Sequence, residues 1–281
     1  MRRLVAPDLV LVYAFLVLMG VVTLIPFYWL AISSFKPASD IVSDPSLIPA
    51  RLTLENYVYA LTETPVPRFL LNTAVIAVGT LLIGLPVTSM AAFAFARYHF
   101  RGRDVLFGLL LASLAIPDYV TLIPSFVVAR LLGLVNTPFA VIIPLAAAVL
   151  PLFLLRQYLK QLPEELFDAA RIDGAGEFRL YWQIALPLIR PGLGAAGLLM
   201  FLTAWNAYLL PLVMVRTRDN LPISLGLQYF YSSVAAASGT DRSVWGPITV
   251  GATLSVVPLI VCLILMQRQF IAGLTSGAVK Q

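Results

Sequence analysis

One cysteine, Cys262, and one histidine, His99, are all that 281 residues supply of the usual metal-binding and nucleophilic side chains. A lone cysteine closes no disulfide and builds no thiol metal site within the chain. A histidine in a basic connection, outside every apolar run, leaves no His-Glu-x-x-His zinc site and no base for an intramembrane serine hydrolase. Lysine is nearly absent too. Lys36, Lys160 and Lys280 are the only three, and none follows a Gly-x-x-x-x-Gly phosphate loop, so the chain does not hydrolyse ATP itself. Charged residues make up only 12% of the composition. What fills the space is apolar: 60% hydrophobic residues and a mean hydropathy of +0.90 place the chain among proteins that cross a membrane several times.

The length allows about six spans of roughly 20 residues. Apolar runs predict them over residues 9–32, 69–94, 105–128, 139–155, 193–215 and 248–266, in a single transmembrane domain over residues 1–281. The first run is long enough to span and lacks a small-residue cleavage site, so it reads as a retained span. Ser33 to Arg68 carries five prolines and Glu55-Asn56-Tyr57, and its length predicts an ordered external feature. Basic residues, which give a net charge of +5, are dispersed along membrane flanks. That pattern argues for topology and against nucleic acid as a partner. With the N-terminus inside, twelve of the nineteen Lys and Arg fall in inner segments. Both termini and the 156–191 loop are therefore expected in the cytoplasm.

That loop is the one long polar stretch. Pro163 suits a first helical turn, and Glu164 and Glu165 follow where the helix dipole favours negative charge. Leu162, Leu166 and Ala169 recur on one face, and Gly174 after Asp173 supplies the left-handed residue that ends a helix. Phe178, Tyr181, Trp182 and Ala185 predict a second amphipathic helix, interrupted at Pro187 and Pro191. The expected product is a helical elbow with a knuckle of small residues. An ordinary cytoplasmic hairpin explains the helices but not that knuckle.

Asp168-Ala169-Ala170, Asp173-Gly174-Ala175 and Ile184-Ala185-Leu186-Pro187 together resemble the cytoplasmic coupling loop of binding-protein-dependent ABC importer permeases. The family pattern runs Glu-Ala-Ala, two residues, Asp-Gly-Ala and a hydrophobic-Leu-Pro ending, and Asp168 stands where Glu is usual. The tail Gly273 to Lys280 is similar to the ending of the carbohydrate-type branch, which includes the maltose and glycerol-phosphate systems. The resemblance implies an all-α integral membrane protein with the type I importer permease fold, six transmembrane helices and a coupling helix. It implies a homologous second permease subunit, two ATPase subunits and an extracytoplasmic solute-binding protein as partners. ATP and Mg2+ would be held by the ATPase, with no cofactor in this chain. Glu165, Asp168, Ala169, Ala170, Asp173, Gly174, Ala175 and Pro187 would couple to that ATPase. A secondary transporter or channel working without an ATPase is the alternative.

Three polar or aromatic residues inside the spans are candidates for the solute pathway. Asp118, in the middle of the third run, costs several kcal/mol in hydrocarbon unless it faces water, a partner or a solute. Either a solute hydroxyl or a neighbouring helix would satisfy it. Asn206 could offer an amide and Trp205 a ring for the face of a sugar, and interhelical packing accounts for both equally simply.

Overall fold

The computed structural model describes the backbone of residues 6–237 and 244–278, and side chains within 9–232 and 244–266. The arginines at 2, 3, 242 and 268 and the tail from Gly273 to Lys280, used above for orientation and branch, have no described side chains. Every regular element among the described residues is helical. The chain forms two compact units, one of residues 1–67 with 227–256 and one of residues 68–226 with 257–281.

In the first unit, α1 (Ala6–Ser33) is apolar all round, and none of its most hydropathic stretch is buried by the chain itself. A helix of that kind is stable only with lipid or another protein around it. The segment 33–68 is ordered, with α2 (Asp40–Ser43) and α3 (Glu55–Thr62). Lys36, at the start of this segment, is fully buried. Its ammonium donates to the Asp44 and Ser46 carbonyls at 2.6 and 2.7 Å, which satisfies a charge that would otherwise not survive burial. Asn56 donates to the carbonyls of Ser34 and Lys36 and closes the same loop.

The second unit is built around α4 (Val66–Arg97), followed by α5 (Arg103–Ser113), α6 (Asp118–Leu131), α7 (Phe139–Ala146), α8 (Val149–Lys160) and α9 (Glu165–Ile172). The second limb of the elbow then runs as one turn of α10 (Glu177–Arg179), a π-helical segment (Leu180–Ala185) and α11 (Leu186–Leu188). Next come α12 (Arg190–Trp205) and α13 (Leu209–Met214); α14 (Ile223–Ala237) and α15 (Trp245–Ala278) are each divided between the two units, after residues 226 and 256. Four helical stretches are long and apolar enough to cross a bilayer alone, and six if two bent pairs each count as one span.

Three expected spans are interrupted, each beside a proline. Residues 105–128 do not form a straight helix: α5 and α6 meet at 107°. Ile116 precedes Pro117 and is barred from helical ψ, and Pro117 itself is extended (φ −61, ψ 142). Asp118 is thereby moved from the middle of an apolar helix to the first turn of α6, where the helix dipole favours a carboxylate. Residues 139–155 break at Ala147 and Ala148, because Pro151 has no N–H for the Ala147 carbonyl. Residues 193–215 break between α12 and α13, because Pro211 has none for Ala207. Ser224 Oγ donates to that freed Ala207 carbonyl at 2.8 Å, which satisfies the acceptor the break exposes.

The elbow faces also differ from expectation. In α9, Phe167 is buried and Leu166 is 45% exposed, so the packed face is Leu162, Phe167 and Ala170, one residue on from the expected stripe. In the second limb Tyr181 and Ala185 are buried while Phe178 and Trp182 face out. Pro187 does not interrupt this limb. The helix continues to Leu188, and the wider π turn immediately before Pro187 accommodates the proline ring and its missing donor. The chain turns only at Ile189, and Pro191 opens α12.

Candidate functional site

The α5–α6 and α12–α13 breaks have a shared consequence. The start of α6 and the α12–α13 break line one cavity of about 630 Å³ with part of α7. Asp118 enters it from α6 and Asn206 from the C-cap of α12, so two of the predicted pathway residues come together from distant parts of the chain. Thr121, Ser125, Thr203 and Tyr208 complete its polar wall, with Leu122, Leu145, Leu209 and Leu210 among its apolar lining. Sequence reasoning missed those four. Their hydroxyls look like ordinary helix-borne residues until the breaks point them at one space. The signal that could have found Thr121 and Ser125 was their spacing one turn apart behind Asp118; Thr203 and Tyr208 had none.

Trp205 goes elsewhere. It is buried in the apolar core formed by α4, α7 and α12, stacked on Phe201 at 5.4 Å, and does not line the cavity. Asn206 spends one amide hydrogen on the Leu202 carbonyl at 2.9 Å. The cavity wall is therefore held by bonds within its own helices. Thr121 and Thr203 likewise donate to the backbone one turn back, at 2.9 Å each. Their oxygens keep acceptor capacity toward the cavity.

The elbow is a separate site in the same unit. Gly174 has φ +81, and the Ala175 and Gly174 N–H groups bond to the Ala170 and Arg171 carbonyls at 2.9 and 3.0 Å. That double closure is the Schellman pattern, and it needs a residue at home in the left-handed region. A Cβ on Gly174 would meet nothing within 4 Å, so the glycine is there for its φ and not to relieve crowding inside this chain. Ile172 and Phe178 flank it, 87% and 72% exposed. Two large apolar side chains on an otherwise polar loop form a surface that another protein can cover.

Charged groups tie the two limbs together. Arg171 bridges Asp168 at 3.0 Å on its own limb and Glu177 at 3.3 Å on the other. Tyr98 donates to the second Glu177 oxygen at 2.6 Å. That bond and the Arg171 bond hold the Glu177 carboxyl below its ordinary pKa. Burial, and then the Glu177 bond, push the Tyr98 hydroxyl up to about 12. Glu165, Asp168, Ala169 and Asp173 are exposed on α9 and its cap, Ala170 and Ala175 pack half-buried against the core beneath, and Pro187 is exposed on the second limb. No cluster of three or more His, Cys, Asp or Glu side chains suited to a metal ion occurs among the described residues.

Comparison with known proteins is consistent across three independent lines. Residues 84–276 match the family described as binding-protein-dependent transport system inner membrane component. The arabinooligosaccharides transport system permease protein AraQ of Halalkalibacterium halodurans is 35% identical over 263 residues, covering 92% of both chains. The trehalose transport system permease protein SugB of Mycobacterium tuberculosis is 34% identical over 259 residues, again covering 92% of each. A chain in the crystal structure of a bacterial ABC transporter involved in the import of the acidic polysaccharide alginate superposes with a TM-score of 0.81 at 21% identity, covering 96% of this chain and all of that one. That last likeness establishes the fold. An ATPase-independent transporter is thereby set aside. With its apolar helices, its elbow and no phosphate loop of its own, the chain belongs to the binding-protein-dependent transport system inner membrane components, as a multi-pass permease subunit of an ATP-driven importer whose ATP is hydrolysed by a separate subunit.

Proposed function

We propose that this permease moves a sugar or sugar-derived solute through the cavity between α6, α7, α12 and α13, and takes its drive from an ATPase docked on the elbow at Gly174. The observation that carries the solute assignment is the meeting of Asp118 and Asn206 in one cavity with four hydroxyl side chains. A solute rich in hydroxyls needs both acceptors and donors, and a carboxylate, an amide and hydroxyls provide them. The cavity volume lies within the about 300–1,000 Å³ typical of small-molecule sites. The relatives named above are permeases for arabinooligosaccharides and trehalose, which supports a carbohydrate here.

Docking is supported by the open space over Gly174 and by exposed Ile172 and Phe178. The complete importer in this reading has a homologous second permease, two ATPase subunits that bind ATP and Mg2+, and an extracytoplasmic protein that delivers solute. Both termini and the elbow lie in the cytoplasm, as the distribution of Lys and Arg indicates. ATP-driven closure of the ATPases displaces the elbow as a rigid body and rocks the spans.

The test uses the assembled complex in lipid vesicles with Asp118→Asn and Asn206→Ala. Uptake should fall, with co-purification of the ATPase and its basal hydrolysis intact. Unchanged uptake in both variants, or loss of assembly, refutes the pathway assignment.

A further inference from the structure

Ser89, Phe93 and Arg97 recur every fourth residue at the elbow end of α4 and so form one row along that helix. Each of the three touches the elbow. The Ser89 and Tyr181 hydroxyls share a hydrogen bond of 2.6 Å. Buried Phe93 packs against Phe167 of the first limb at 6.2 Å and Tyr181 of the second at 5.5 Å between ring centroids. Arg97, the last residue of α4, sets its guanidinium 4.1 Å over the Phe167 ring. One nitrogen of that guanidinium donates to the carbonyls of Leu159 and Leu162. Leu159 lies in the last turn of α8, whose carbonyls have no partner within their own helix, and Leu162 lies in the turn into α9. Tyr98 continues the row onto Glu177, the first residue of the second limb.

Arg97 thus holds three things at once: the end of α4, the end of α8 and the buried aromatic anchor of α9. Apolar faces slide past one another with little change in energy, whereas hydrogen bonds and a cation over a ring keep a set direction. We infer that Arg97, seconded by Tyr98, is the positioning residue that makes α4 follow the elbow, so that a push on the elbow becomes a tilt of this span. The inference rests on the reading that the elbow docks a separate ATPase, and it adds which span receives the displacement and through which side chain.

The experiment measures solute taken up per ATP hydrolysed by the full complex in lipid vesicles, together with co-purification of the ATPase. Arg97→Gln should lower that ratio at least about fivefold while binding and hydrolysis by the ATPase continue. Arg97→Lys should recover part of it, since an ammonium keeps the charge over Phe167 but lacks the planar fork. Tyr98→Phe removes one hydroxyl and no packing, and should lower the ratio by a smaller factor. An unchanged ratio in Arg97→Gln and Tyr98→Phe overturns the inference; should Arg97→Gln fail to assemble, an unchanged ratio in Tyr98→Phe alone overturns it. A wrong docking assignment looks different: Gly174→Asn would then leave co-purification and the ratio untouched. A wrong assignment of Arg97 leaves the Gly174→Asn defect in place while the Arg97 and Tyr98 variants are silent.

Discussion

Gly174 offers a substitution pair that separates backbone conformation from contact with a partner. At φ +81 an alanine is strained by about 1–2 kcal/mol, while asparagine tolerates the left-handed region at lower cost. No steric cost is added to either, because a Cβ there meets nothing within 4 Å. If the glycine served only to close the Schellman turn, Gly174→Asn would work better than Gly174→Ala. If it serves close approach by an ATPase surface, the order reverses, because the longer side chain fills the space the partner needs. We predict the reversed order: uptake and solute-stimulated ATPase in vesicles are lower for Gly174→Asn than for Gly174→Ala. Amide hydrogen exchange at Gly174 and Ala175 should at the same time show the turn better kept in the asparagine variant. Wild-type uptake by Gly174→Asn would refute the docking role, however well the alanine variant is explained.

Further predictions concern packing, hydrogen bonding and pH. A Cβ at Gly192 would lie 2.7 Å from the Tyr158 ring, so Gly192→Ala should destabilise the folded permease by about 1–3 kcal/mol, read as a lowered midpoint of thermal unfolding in detergent. Ser224→Ala leaves the Ala207 carbonyl without its side-chain donor and should cost about 1–3 kcal/mol by the same measurement, with altered uptake because Ala207 lines the cavity. The Tyr98–Glu177 bond should be insensitive to pH across the physiological range. Tyr98 is raised on folding, so its contribution is complete below its ordinary value near 10 and lost only as pH rises through about 12. Glu177 is lowered, so its contribution is present above its ordinary value of 4.5 and lost as pH falls below it. Coupling in the wild type should accordingly weaken on acidification below that value, and Tyr98→Phe should move the onset to higher pH. An onset unmoved by Tyr98→Phe would show that Glu177 is not the group involved.

The elbow was legible in the sequence because its signals are local. Pro163, Glu165, Asp173 and Gly174 act within a turn or two of themselves, and α9 ends where they place its end. Its packed faces were not. Phe167 packs inward under Arg97, seventy residues earlier, and in the second limb Phe178 and Trp182 lie outside the stripe a regular helix gives them. The cavity was half legible: Asp118 and Asn206 stood out as polar residues in apolar runs, but their companions became visible only with the bends. Trp205, expected to offer its ring to a sugar face, lies in the core.

Hydropathy is a sum over neighbours along the chain, so composition and run length by themselves determined that this is a multiply spanning protein, and the missing phosphate loop that it holds no ATPase site of its own. Tertiary structure alone decided where the spans bend, what the bends bring together and which charges are buried. A proline frees a carbonyl wherever it stands, yet α4 runs on through Pro86 while the chain breaks before Pro211, where Ser224 takes the freed carbonyl. Whether a cation such as Lys36 ends in solvent or in a fully bonded interior depends likewise on backbone groups that only folding delivers.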